Sequence, residues 1–76
     1  MSKLPDINGK RLIKLLRKLN FEVIRIKGSH HFLRHSDGRA TVIPVHGKES
    51  IGIGLFHKIL KECEMTPDEF LNLLNK

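Results

Sequence analysis

Five histidines stand in this 76-residue chain, and three of them, His30, His31 and His35, fall within one short stretch. Imidazole is the side chain whose ordinary pKa lies nearest neutrality, so it can both take and give a proton at cellular pH. RNA carries its own nucleophile in the 2′-OH. Its cleavage therefore needs a positioned base, an acid and charge stabilisation at the phosphate, but no metal. One histidine set among cations can meet that demand, and Arg25, Lys27 and Arg34 flank the cluster. The competing interpretation is a polar surface on a half-exposed sheet.

Other chemistries fit less well. Magnesium sites want clustered carboxylates, and only Asp37 and Glu49 lie near the histidines in sequence. His30, His31, His35, His46 and Cys63 do not form a recognised zinc-ligand spacing, although His46 is placed to approach the end of a sheet. No metal and no other cofactor is expected. Cys63, the single cysteine, falls on the apolar side of a helical stretch and reads as a small core residue rather than a nucleophile. A lone cysteine makes no internal disulfide, and the start lacks a charged-then-apolar signal pattern, so a reducing cytoplasm is the expected compartment. No apolar run approaches the ~20 residues a membrane helix needs, which predicts a soluble protein.

Net charge is +6 and unevenly spread: Met1 to Lys48 holds eleven Lys/Arg against three Asp/Glu, whereas Glu49 to Lys76 holds three against five. Such a bias is the footprint of a surface for a polyanion, nucleic acid or a membrane face. Lys10, Arg11, Lys14, Arg17 and Lys18 cover one side of the first helical stretch with no acid among them. Like charges at i,i+4 cost a few tenths of a kcal/mol each. Phosphates would offset that cost, and the wide minor groove of A-form RNA is readable through phosphates and 2′-OH groups. A solvated basic face is the alternative.

The elements that must position these groups follow from periodicity. Leu12, Leu15, Leu16 and Leu19 recur at helical spacing, predicting a helix over Gly9–Leu19, capped by Asn8 and ended by a left-handed Asn20 with Phe21 folding back. Phe21–Lys27 is β-branched and alternating, a half-buried strand. Gly28-Ser29 reads as a type II′ hairpin turn into a second strand, His30–His35, and Asp37-Gly38 turns the chain into a third, Ala40–Pro44. A helix from about Gly52 or Gly54 to Glu62 presents Leu55, Phe56, Ile59, Leu60 and Cys63 on its apolar side. Thr66-Pro-Asp-Glu69 opens a final helix to about Leu74. The economical packing is one α+β domain over 1–76, with helices on one face of a three-stranded antiparallel sheet.

Alternation sends His30 and His31 to opposite faces. With a two-residue turn, Lys27 pairs with His30, Ile26 with His31, Arg25 with Phe32 and Ile24 with Leu33. Ile24, Ile26 and Leu33 then face the helices, while His30 shares the open face with Arg25, Lys27 and Arg34. The same register leaves Phe32 and Ile43 on the open side. A slip of one residue would exchange the faces, so the choice between His30 and His31 rests on that turn.

In combination, these segments resemble the HicA (YcfA-like) toxin family. The matching residues are Gly9-Lys10 opening a Leu-rich helix, Leu19-Asn-Phe21, Lys27-Gly-Ser-His-His31, Arg34-His-Ser-Asp-Gly-Arg39, Val42-Ile-Pro-Val-His46, and Gly54 before Ile59-Leu60. The resemblance implies a double-stranded-RNA-binding-domain-like α-β-β-β-α fold with a short C-terminal helix. It further implies an mRNA-cleaving toxin, neutralised by a HicB-type antitoxin that covers the active surface. The family's histidine in the Gly-Ser-His segment carries over to His30, with His31 as reserve, and no role attaches to the Ser29 hydroxyl. On this reading Lys10, Arg11, Lys14, Arg25, Lys27 and Arg34 hold RNA. A non-catalytic double-stranded-RNA-binding module and a module whose basic face meets an acidic protein are the competing functions.

Overall fold

A computed structural model describes residues 4–75, and in it the elements run α1 (Gly9–Arg17), β1 (Phe21–Lys27), β2 (His30–His35), β3 (Ala40–Pro44), α2 (Ile53–Glu62) and α3 (Pro67–Leu74). The strands form one antiparallel sheet in the order β1-β2-β3. This is the α+β, double-stranded-RNA-binding-domain-like arrangement expected from the sequence. All three strands have the predicted bounds.

Local chemistry sets the helix ends. The Asn8 side chain accepts a hydrogen bond from the Arg11 amide at 2.8 Å, satisfying one of the donors left free at the start of α1. α1 stops at Arg17, short of the expected Leu19. Lys18, Leu19 and Asn20 donate to carbonyls only three residues back, which tightens the last turn, and Asn20 then takes the left-handed conformation at φ 72°. α3 begins with a capping box in which Thr66 and Glu69 each bond the other's backbone amide, followed by Pro67.

The core lies between the helices and one sheet face. Leu12 and Leu16 of α1, Phe56, Ile59 and Leu60 of α2 and Phe70 of α3 join Phe21, Leu33 and Ile43 of the sheet in one buried cluster. Phe56 and Phe70 meet edge to face at 5.1 Å, which docks α3 onto α2. Two polar links hold the end of α2 against β3. Thr41 Oγ1 donates to Glu62 Oε1 at 2.8 Å, and Arg39 Nη1 donates to the Cys63 carbonyl at 2.8 Å. The segments leading into α1 and α2 also meet, through the Ile51 amide and the Ile7 carbonyl at 2.7 Å.

Three burial expectations are corrected. Ile43 is buried, because it pairs with His31 on the helix side, and Val42 and Pro44 take the open side instead. Ile24 does not face the helices opposite Leu33. Val23 holds that position, and Ile24 is the extra residue of a β-bulge, 59% exposed. Ile26 does pair with His31, yet it is 60% exposed, since it lies on an edge strand beyond the ground the helices cover.

Candidate active site

The β1–β2 hairpin positions the histidines. Gly28 has φ 59° while Ser29 keeps a negative φ, the combination a type II′ turn requires. The register beyond it pairs Lys27 with His30, Ile26 with His31 and Arg25 with Phe32. On the other side of β2, His30 pairs with Pro44 and Phe32 with Val42. His30, Phe32 and Arg34 thus share the open face with Arg25 and Lys27, as the turn argument predicted.

The bulge reconciles that cationic face with the buried start of β1. β1 begins with Phe21 and Val23 opposite His35 and Leu33, on the helix side. Unbroken alternation from there would carry Arg25 and Lys27 to the helix side and Ile26 to the open one. One extra residue at Ile24 reverses the alternation, so Phe21 and Val23 reach the core while the two cations stay beside His30. The sequence held a signal for this. Phe21 and Ile26 have opposite parity, and no regular strand can turn both to the same side of a sheet.

Within this face the side chains are partly fixed. The Arg25 guanidinium stands 5.9 Å from the centre of the half-buried Phe32 ring, a cation–π contact that holds the charge close to the sheet. His30 is exposed. Arg34 lies opposite Glu22, which places one acid within the cationic surface. The chain leaves the sheet at the turn end, where the Val45 amide donates to the Ser29 carbonyl at 2.8 Å, and exposed His46 follows directly.

His31 is placed differently. It is half-buried on the helix side, and its Nδ1 lies 3.3 Å from the Ser29 carbonyl oxygen. Donation from Nδ1 would leave Nε2 as the free acceptor, but no Lys or Arg pairs beside it, because its neighbours are Ile26 and Ile43. His35 is absorbed by the second turn. It packs edge to face on Phe21 at 5.2 Å, and its Nδ1 accepts from the Asp37 amide at 3.1 Å. The amide of Arg39, and beside it the Arg39 guanidinium, hold the Asp37 carboxyl below its usual range. Arg39 therefore serves as a clamp between the turn, the Phe21 ring at 5.1 Å and the end of α2.

α1 carries a second basic surface. Lys10, Arg11, Lys14, Arg17 and Lys18 are all exposed, and a shallow groove of about 400 Å³ runs among Asn8, Lys10, Arg11, Lys14, Leu15 and Lys18. Since Leu12 and Leu16 pack toward the sheet, these cations face away from it and are not brought to His30. The two surfaces approach each other at the start of α1, where Gly9 abuts the carbonyl of Pro44, the cross-strand neighbour of His30.

Among the described residues, no three His, Cys, Asp or Glu side chains gather to hold a metal, and no helix is long and apolar enough to cross a membrane. Cys63 is completely buried, and burial pushes its thiol up to about 11. At pH 8 a thiol reagent should label the native protein at least about a hundredfold more slowly than the denatured chain, from the loss of thiolate alone. A labelling time course with and without denaturant checks this, and equal rates would contradict the buried placement.

Sequence reading missed the residues of α2 that approach His30. Leu55, Lys58 and Glu62 line a groove with it, and nothing in their local spacing announces a neighbour on another element.

Against known proteins, residues 9–65 match the family model described as HicA toxin of bacterial toxin-antitoxin. No curated protein sequence matches the chain.

Proposed function

This chain belongs to the HicA toxin family of bacterial toxin–antitoxin systems, and on that premise we propose that it is an endoribonuclease that cleaves mRNA in the cytoplasm with His30 as the proton-transferring group. The observation that carries the reading is the exposed position of His30 directly opposite Lys27, on the face that also bears Arg25 and Arg34. His30 accepts the 2′-OH proton as the O2′–P bond forms and the P–O5′ bond breaks. The imidazolium returns a proton to the departing O5′, leaving a 2′,3′-cyclic phosphate and a 5′-OH. Lys27 and Arg25 neutralise the charge that builds on the phosphate oxygens, where a fixed cation acts without reorganisation, and Arg34, farther along β2, holds a neighbouring phosphate.

Lys10, Arg11 and Lys14 hold backbone phosphates at the second surface, away from the reacting bond. Membership of a toxin–antitoxin family implies an antitoxin partner. We read that partner as a HicB-type protein that covers the open face. The basic groove on α1 supports one competing function, a non-catalytic double-stranded-RNA-binding module, which predicts salt-sensitive binding without scission.

The test is incubation of purified protein with mRNA in excess chelator, followed by analysis of the fragment ends. Cleavage should persist and leave cyclic phosphates. Loss of cleavage with chelator would overturn the metal-independent reaction, and binding without scission in every condition would favour the binding module.

A further inference from the structure

The groove that links His30 to α2 is built from three places in the chain. Val42 and Pro44 of β3, Leu55, Lys58 and Glu62 of α2 and His30 itself enclose about 190 Å³. Leu55, Lys58 and Glu62 follow one another at i, i+3 and i+7, so a single side of α2 supplies all three. The Thr41–Glu62 and Arg39–Cys63 hydrogen bonds described above pin that helix beside β3 and fix the width of the groove.

Its chemistry is divided. Val42, Pro44 and Leu55 make an apolar floor, and Leu55, expected on the buried side of α2, is instead 37% exposed on the side it shares with Lys58 and Glu62. Lys58 and His30 supply the polar edge. Glu62 is already engaged by the Thr41 hydroxyl, and among the described residues Lys58 forms no ion pair. Glu62 keeps its charge while accepting from Thr41, and a lysine without an ion-pair contact beside an apolar floor is complementary to a planar heterocycle attached to a phosphate. The volume lies under the roughly 300 Å³ at which pockets for drug-sized ligands begin and suits one base rather than a base pair. Unstacked bases of single-stranded RNA are available for such a seat, whereas bases within a duplex are not.

We propose that this β3–α2 groove is the subsite for a nucleotide adjoining the scissile phosphate, with its base on Val42, Pro44 and Leu55 and its phosphate held by Lys58. The proposal rests on the reading of His30 as the reacting group. It makes the preferred substrate single-stranded at the cleavage point, and it adds Lys58 and Leu55 to the residues that determine binding.

The experiment compares wild type with Lys58→Gln, Lys58→Arg and Leu55→Ala on a labelled single-stranded RNA oligonucleotide. Cleavage gives kcat and KM, and binding to each variant carrying His30→Ala gives Kd at several salt concentrations. Lys58→Gln should raise KM about tenfold at low salt and reduce the slope of log Kd against log salt by about one, while Lys58→Arg restores both. Leu55→Ala should weaken binding about three- to tenfold with little change in that slope, from the apolar contact area lost. Melting curves establish that the variants fold. If wild type cleaves the RNA and all three variants match it, the groove is not a subsite and the catalytic reading stands. If wild type neither binds nor cleaves RNA, the catalytic reading fails and the subsite with it. Unchanged RNA kinetics with lost neutralisation by the antitoxin would make the groove a protein-docking surface and overturn the proposal.

Discussion

Replacing His30 with alanine should lower kcat for RNA cleavage about 10²- to 10⁴-fold, the usual worth of a positioned general acid–base group. The protein should remain folded, because His30 is exposed and takes no part in the buried cluster. His31→Ala should cost less than about tenfold in kcat, since this ring lies on the helix side, away from Arg25, Lys27 and Arg34, but it should lower the melting temperature. Single-turnover cleavage of one RNA by both variants, with melting curves alongside, separates the two histidines. Full activity in His30→Ala together with inactivity in a folded His31→Ala would move the chemistry to the other face of the sheet.

A change at Gly9 should have the largest effect on stability. By propensity alone, Gly9→Ala is favourable, since alanine exceeds glycine in a helix by about 1 kcal/mol. The packing reverses the sign. A Cβ at residue 9 would overlap the Pro44 carbonyl oxygen and stand 3.2 Å from a methyl group of Val45. The obstructing atom belongs to the backbone, so no rotamer change relieves the contact. Overpacking typically costs about 1–3 kcal/mol, and a clash this rigid belongs at or above the upper end. For a domain of this size about 3 kcal/mol is a large share of total stability and corresponds to a fall of roughly 12–24 °C in Tm. Thermal unfolding of Gly9→Ala measures it directly, and an unchanged or raised Tm would show that α1 does not approach Pro44 as described. Because Pro44 is the cross-strand neighbour of His30, the same variant should also lose cleavage activity while still folded.

Much of this fold is local information. The spacing of Leu12, Leu15 and Leu16, the caps at Asn8 and Thr66, the Gly28-Ser29 and Asp37-Gly38 turns and the β-branched runs between them are short-range preferences, readable without knowing what lies across the sheet. The turn alone was sufficient to pair Lys27 with His30. It was insufficient for the far end of the hairpin, where packing of Phe21 competes with the pairing of Ile26 and is reconciled only by the bulge at Ile24. The same limit explains Ile43, whose face depends on its pairing with His31 across two strands rather than on its own neighbours in sequence.

Residue types and spacing were enough to point to an imidazole in a basic setting and to the strand on which it sits. They also separated His30 from His31, because side chains on a strand alternate whatever the rest of the fold does. The rest of the setting of His30 came from long-range packing. It reconciled the cationic face with the burial of Phe21 through the bulge at Ile24, placed the cations of α1 on a surface of their own, tied Arg39 into the Asp37 turn and brought Leu55, Lys58 and Glu62 up beside His30. These are contacts between residues far apart in the chain, chosen by how the helices cover the sheet and by close backbone approach at Gly9, and no short-range preference encodes them.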